Sequence, residues 1–313
     1  MKSVAHEAWF HDAGLRQGLA LLNSDGGEAR VVGGAVRNSL MGIAVSDMDI
    51  ATTLAPEAVV ARAEAAGVKC VPTGLKHGTV TLVVAGKPFE VTTLRRDVET
   101  DGRHAVVEFT DDWKADAQRR DLTINALYAD QEGRIHDDVG GLDDIASGTI
   151  RFIGDAHQRI AEDYLRVLRF FRFFAYYGSG RPDAEGLKAC AGARKKLASL
   201  SAERVWSEMK KLLSAPQPFR ALLWMRSSGV LTEILPETEK WGIDSIPALV
   251  LAEQKFTWAI DPMLRLAAIV PPVEDRLSAM AARLRLSNAE RDWLVAFAQC
   301  PETSDSLSKG DLR

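Results

Sequence analysis

The sequence predicts an α+β chain: an N-terminal head in which strands and helices alternate, followed by an all-helical remainder. Three observations predict it. β-branched runs separated by Gly or Pro fall in roughly the first 145 residues. After Gly148 the pattern turns to helix throughout. And 313 residues are too many for one small core, at about 150 residues per domain.

The elements follow in order. Arg30-Val31-Val32 reads as a short strand ending at Gly33-Gly34, and Ala35 to Met41 as a helix closed by Gly42. Asp47 to Ala51 alternates polar and apolar, as a half-buried strand should. Pro56 to Ala66 reads as a helix with an early proline, stopped by Gly67. Val68–Val71, Thr79–Val84 and Phe89–Leu94 read as strands. Asp97–Asp112 is polar around Gly102 and reads as a mobile loop, after which Lys114–Tyr128 reads as helix. Ile160, Tyr164, Leu168, Phe171 and Ala175 step by four, four, three and four, which predicts one amphipathic helix over Ile160–Tyr177. Further helices are expected at Ala202–Leu213, Pro218–Arg226, Ala248–Trp258, Pro262–Ile269, Val273–Leu284 and Asn288–Cys300.

Composition excludes several classes. At 46% hydrophobic and 26% charged, the chain is neither disordered, nor collagen-like, nor a disulfide scaffold. No apolar run approaches the ~18 residues of a membrane span. Charge at Lys2 and Glu7 interrupts any signal-like start. Cys70, Cys190 and Cys300 are scattered without a CxxC, so they read as free thiols in a reducing compartment and imply a cytoplasmic location. Net charge is −4, yet residues 151–211 hold 13 Lys/Arg against 7 Asp/Glu. That basic middle suits a local nucleic-acid contact, or simply a solvated Arg-rich helical face.

Asp47 and Asp49 carry the most chemistry. Residues i and i+2 of a strand share a face, and two carboxylates placed so raise each other's pKa unless a cation compensates. Hard oxygen ligands suit Mg²⁺, which keeps several waters and bridges to substrate phosphates. The alternative is two solvated aspartates at a strand end. Gly33-Gly34, between strand and helix, lets the backbone approach a ligand closely, and a helix start offers N–H groups to a phosphate. Arg37 lies one turn further and can add a charge-assisted bond. Together these residues place a nucleotide triphosphate beside Mg²⁺.

Five segments in order carry a family resemblance. They are Val32-Gly33-Gly34-Ala35-Val36-Arg37 with Asp47-Met48-Asp49-Ile50-Ala51-Thr52; Arg119-Arg120-Asp121-Leu122-Thr123-Ile124-Asn125-Ala126; Asp138 to Asp144; Glu162-Asp163-Tyr164-Leu165-Arg166-Val167-Leu168-Arg169; and Ser201-Ala202-Glu203-Arg204. The set resembles the motifs of class II tRNA nucleotidyltransferases (CCA-adding enzymes) and their relatives, the bacterial poly(A) polymerases. The resemblance implies a nucleotidyltransferase head with a mixed or antiparallel sheet over 1–147. It implies a helical, nucleotide-selecting neck over 148–214 and a helical, tRNA-binding body over 215–313. The family's tail domain is expected to be absent or cut off. The implied reaction adds C, C and A to the tRNA 3′ end from CTP and ATP, releasing pyrophosphate. Two Mg²⁺ ions, for which Mn²⁺ may be exchanged, are implied on Asp47 and Asp49.

Site residues follow from the same resemblance. A third catalytic carboxylate is expected on a neighbouring strand: Glu90, with Asp121 the rival, though either could instead pair with Arg95, Arg96 or Arg120. Gly33, Gly34, Arg37, Arg120 and Asn125 are implied at the nucleotide's ribose and phosphates. Asp163 and Arg166, three apart on the expected helix, would imitate a complementary base edge. Arg169 and Arg172 would lie nearer the phosphates or the template wall. From the residues alone, Asp163 and Arg166 read as an ordinary i,i+3 surface ion pair. One position departs: Asn38 stands where the family usually has Asp, keeping the hydrogen-bonding shape without the charge. The Asp97–Asp112 loop would take part in switching from C to A addition.

Two other functions are weighed. A poly(A) polymerase shares the catalytic motifs, but Gly74–Val80 lacks the Arg-rich, Phe-containing stretch usual there, and the pI near 5.9 lacks a strong basic excess. A catalytically dead RNA-binding module conflicts with intact Asp47 and Asp49. His11-Asp12 and His136-Asp137 are too isolated for an HD phosphohydrolase, and the Trp and Phe residues beyond Trp206 read as helical core.

Overall fold

The computed structural model describes residues 2–101, 104–239 and 242–300. The chain divides into two compact units, Met1–Arg166 with Tyr177–Ala189, and Val167–Tyr176 with Cys190–Arg313.

Among the described residues, the first unit has nine strands: β1 (Ala29–Val32), β2 (Asp49–Thr52), β3 (Lys69–Gly74), β4 (Thr79–Val84), β5 (Lys87–Thr93), β6 (Arg95–Asp101), β7 (His104–Phe109), β8 (Leu127–Ala129) and β9 (Ile135–Asp137). Its helices are α1 (Ala13–Leu22), α2 (Gly34–Leu40), α3 (Pro56–Ala65), α4 (Trp113–Arg119), α5 (Gly141–Ser147) and α6 (Ala156–Glu162). Seven strands form one sheet in the order β3-β4-β5-β2-β1-β8-β9. Only the β2–β5 pair in it is parallel. Because strand residues alternate faces, the sheet buries two different surfaces. Val31, Ile50, Val91 and Leu127 pack with Leu15, Leu19, Val36 and Val59 of α1, α2 and α3. Val32, Ala51 and Tyr128 pack on the other face with Ala117 of α4.

Four sequence expectations are corrected here. Asp97–Asp112 is largely a β-hairpin rather than a loop: β6 and β7 pair as a separate two-stranded sheet, with Arg96 ion-paired to Glu108 at 2.8 Å. Its β-branched residues, Val98, Thr100, Val106 and Val107, outweigh Gly102, which itself lies outside the described residues. The strand expected from Asp47 begins only at Asp49, because β1 offers no pairing partner beyond Val32 before the Gly33 turn. The helix expected over Lys114–Tyr128 stops at Arg119. There Asp121 Oδ1 accepts from the Leu122 N–H and the Asn125 amide, local bonds that compete with helix, and Tyr128 lies in β8. Finally, the helix expected over Ile160–Tyr177 is two, α6 and α7 (Leu165–Tyr177), because Asp163 is extended at φ −157° and ψ 108°.

The second unit is helical. Following α8 (Ala184–Ala193) come α9 (Ala202–Leu213), α10 (Phe219–Ser227), α11 (Val230–Ile234), α12 (Ile246–Lys255), α13 (Pro262–Ile269), α14 (Glu274–Leu284) and α15 (Asn288–Gln299). Ser287 and Glu290 form a capping box at the start of α15. The core includes Met209, Leu222, Met225, Leu266, Ile269 and Met280. Inside it, Arg265 and Glu253 form a buried ion pair, with Nε to Oε1 at 3.0 Å and Nη2 to Oε2 at 2.5 Å. Arg265 Nη1 also donates to the carbonyls of Leu213 and Ala215.

Not every aromatic residue beyond Trp206 is core. Phe256 and Trp258 are 55% and 53% exposed and stack on each other with ring centroids 5.5 Å apart. Trp293 and Phe297, one turn apart on α15, stack likewise on the surface. Helical spacing alone could not tell a core stripe from a surface pair. Among the described residues no helix is long and apolar enough to cross a membrane.

Candidate functional site

Strand register assembles the acidic site. Val32 lies opposite Asp49 in the antiparallel β1–β2 pair, and the parallel pairing of Ile50 with Val91 sets Asp49 beside Glu90. Alternation puts both carboxylates on the face that carries Ala51 and Tyr128. Crowding by the surrounding protein raises the Asp49 carboxyl above its ordinary range, and the charges of Glu90 and Asp47 push the same way. Arg120 pulls it back. Asp47 lies just before the strand, where its Oδ2 accepts from the Ser46 hydroxyl at 2.9 Å.

Gly33 makes the turn from the end of β1 into α2. Its φ of +70° and ψ of −112° suit only glycine, while its N–H donates to Leu127 O at 3.0 Å. Gly33→Ala is expected to cost about 1–3 kcal/mol of stability, read by urea denaturation; an unchanged midpoint would show that the turn relaxes freely.

Arg37, buried one turn later, is held on several sides. Asn38 Oδ1 accepts from Nε at 3.1 Å and from Nη2 at 2.8 Å. Asn125 Oδ1 accepts from Nη1 at 2.5 Å, and the Tyr177 hydroxyl accepts from Nη2 at 2.9 Å. Asn38 thus orients the arginine through a neutral oxygen where the family usually has a carboxylate. Asn125 in turn donates to Asp121 Oδ1 at 3.2 Å. Of the two rivals for a third carboxylate, Glu90 therefore sits beside Asp49, whereas Asp121 belongs with Asn125.

Sequence reasoning missed Asp116, a buried hub on α4. It pairs with Arg119 at 2.6 Å and Arg120 at 3.0 Å, and accepts from the Tyr128 hydroxyl at 2.7 Å. Burial favours its neutral form, but the Arg120 and Arg119 charges prevail and lower its pKa below 3.8. Burial pushes the Tyr128 phenol well above its ordinary range. The signal was present in the spacing, since Arg119 and Arg120 follow Asp116 at i+3 and i+4. A lowered carboxylate adds stability above the unfolded value and loses it as pH falls through the folded one. Asp116→Asn is therefore expected to cost about 1–3 kcal/mol at pH 7, a gap that narrows below pH 3.8. Urea midpoints across that range check it; a constant gap would mean that the charge contributes nothing.

The expected base-reading residues are arranged differently from a helix-surface pair. Asp163 precedes α7 and caps it, Oδ1 accepting from the Leu165 N–H at 3.1 Å. Arg166 pairs with Glu162 and donates to Arg159 O at 2.8 Å, and Glu162 also binds Arg159 at 2.7 Å. Arg169 and Arg172 belong to the second unit. There Arg172 Nε lies 2.7 Å from Glu208 Oε2, and both arginines approach the Phe173 ring, at 5.4 and 4.4 Å. The His-Asp pairs are structural: Asp12 caps α1 and binds Lys87, Asp137 accepts from four successive N–H groups, and His136 binds Asp130 at 2.9 Å.

Among the described residues no three His, Cys, Asp or Glu side chains converge as a ready-made metal cage. Asp47 and Asp49 nevertheless fit a hard divalent cation that keeps most of its waters. Their mutual charge is what such an ion relieves, and exposed carboxylates leave room for water and phosphate oxygens.

Known proteins share this architecture. Residues 29–151 match the Poly A polymerase head domain, and residues 182–241 match the probable RNA and SrmB-binding site of polymerase A. The mitochondrial CCA tRNA nucleotidyltransferase 1 of Mus musculus is 39% identical over 89% of this chain and 64% of its own length. That of Danio rerio is 38% identical over 93% of this chain and 67% of its own. The chain thus spans about two thirds of the length of these relatives. A crystal structure of the Bacillus stearothermophilus CCA-adding enzyme in complex with CTP superposes with a TM-score of 0.67, at 31% identity, over 92% of this chain and 66% of that one. With such identity carried through head and helical region alike, the chain belongs to the family of CCA-adding enzymes, the CCA tRNA nucleotidyltransferases.

Proposed function

We propose that this chain adds C, C and A to the 3′ end of tRNA, taking CTP and ATP and releasing pyrophosphate. One observation carries the reading: the central strands β1, β2 and β5 bring Asp49, Glu90 and the Gly33 turn together, with Arg37 fixed one turn on. Asp47 and Asp49 would hold Mg²⁺, two ions in this reading, with Mn²⁺ a substitute. When bound, divalent metal activates the attacking 3′-OH and stabilises the leaving pyrophosphate. Gly33 and Gly34 let the triphosphate come close to the backbone, and Arg37 and Arg120 supply positive charge toward it. Asn125 holds Arg37, and Asp121 in turn holds the Asn125 amide. Glu90 adds negative charge beside Asp49, suiting it to assist the metal ligands.

The neck, 148–214, would choose the base, and the body, 215–313, would hold tRNA. Asp163 and Arg166 are the proposed base readers, an acceptor and a planar donor fork, with Arg169 and Arg172 toward the phosphates or template wall. The test is incubation with tRNA lacking its 3′ CCA, with CTP and ATP singly and together, reading product length. Stepwise growth by three residues supports the reading; long A tails from ATP alone would favour a poly(A) polymerase. Asp163→Ala is expected to raise UTP incorporation relative to CTP by roughly 5- to 150-fold, from an unpaired acceptor worth about 1–3 kcal/mol. An unchanged ratio at full activity would remove Asp163 from base selection. The free cysteines fit a reducing cytosol; the vertebrate relatives bear mitochondrial names, and fractionation separates the two compartments.

A further inference from the structure

We propose that Tyr177 is a positioning residue for Arg37, acting on nucleotide affinity through that guanidinium; the inference rests on the phosphate role given to Arg37 above. Two separate contacts support it. The Tyr177 hydroxyl accepts from Nη2 at 2.9 Å. Arg37 Cζ also lies over the Tyr177 ring, 4.2 Å from its centroid. Asn38 and Asn125 supply in-plane acceptors, but Tyr177 adds a face to rest on. A guanidinium gripped at its edges can still tilt; one also pressed against a ring is held in tilt as well as in direction. The Asn38, Asn125 and Tyr177 oxygens are neutral acceptors, so these contacts orient the cation without cancelling its charge.

The position of Tyr177 gives this contact a meaning that packing alone does not. It is the last residue of α7, the helix whose first turn carries Arg166. The helix proposed to read the base at its start therefore also grips the phosphate-side arginine at its end. No motif in the sequence marked Tyr177, because its partner lies 140 residues away.

The test uses the full chain, with CTP and ATP titrated calorimetrically without tRNA and kinetics measured on tRNA lacking CCA. Tyr177→Phe keeps the ring and loses the hydroxyl; it is expected to raise Kd and KM for both nucleotides roughly threefold, with kcat little changed. Tyr177→Leu removes both contacts and is expected to raise them roughly tenfold or more. In an Arg37→Ala background the Tyr177→Leu change is expected to add nothing, because the group it positions is gone. Unchanged Kd and KM in the Tyr177 variants, while Arg37→Ala loses affinity, would overturn this inference and leave the phosphate role of Arg37 standing. So would full additivity in the double variant. Wild-type affinity in Arg37→Ala would overturn both. Tyr177→Phe preserves the ring's shape and so decides the matter even if Tyr177→Leu folds poorly.

Discussion

Asp47→Ala and Asp49→Ala are each expected to lower CMP incorporation at least on the order of a thousandfold, while leaving the unfolding midpoint unchanged. Removing either takes away a ligand for the divalent cation that would activate the 3′-OH and steady the pyrophosphate. Neither side chain supports the core: both residues are exposed at the start of β2, and Glu90 and Asp47 repel the Asp49 carboxylate. Asp49→Asn should be at least as stable as the wild type, since it relieves repulsion from Glu90 and Asp47. The decisive measurement is single-turnover addition to tRNA lacking CCA, with thermal unfolding of the same preparations. A loss of only a few fold would take these residues out of the chemistry.

In the helical unit the largest effect is one of stability. Arg265→Ala is expected to cost about 3–5 kcal/mol, because it strands Glu253 in the core and leaves the carbonyls of Leu213 and Ala215, at the end of α9, without their donor. The double change Arg265→Met with Glu253→Leu should recover much of that loss, since two apolar groups of similar size leave no buried charge behind. Urea denaturation of the three proteins checks it. If the single variant were as stable as the wild type, water would have to reach this pair, against the 1% and 4% exposure of Arg265 and Glu253.

How legible the molecule is from its sequence depends on the range of the interactions. Ala202–Leu213 can be bounded from its own residues, because its amphipathic period is local. Asp47 and Asp49 can be singled out because two carboxylates at that spacing are costly without a purpose. β8 reads as helix, since a three-residue apolar strand carries no period of its own and exists only by pairing with β1 and β9. Asp163 shows the same limit: the hydrophobic steps run through it, yet its extended backbone, with Oδ1 capping Leu165, divides α6 from α7. Tyr177 and Asn38 are legible as residues, but their joint hold on Arg37 depends on a contact that no spacing rule can reach.

The order of the strands also bears on when the site comes into being. β3, β4 and β5 follow one another and can zip locally, as can β8 and β9. Two seams of the seven-stranded sheet instead join strands that are distant along the chain: β2 to β5, and β1 to β8. The first seam sets Asp49 beside Glu90, and the second ties Gly33 to Leu127. Distant pairings bear the greater loop-closure entropy and close after local ones. A nascent or partly melted head would therefore hold its meander and its hairpin while possessing no assembled acidic site at all. Competence to bind a nucleotide would arrive with the last seams, so that an immature copy would stay silent rather than work badly.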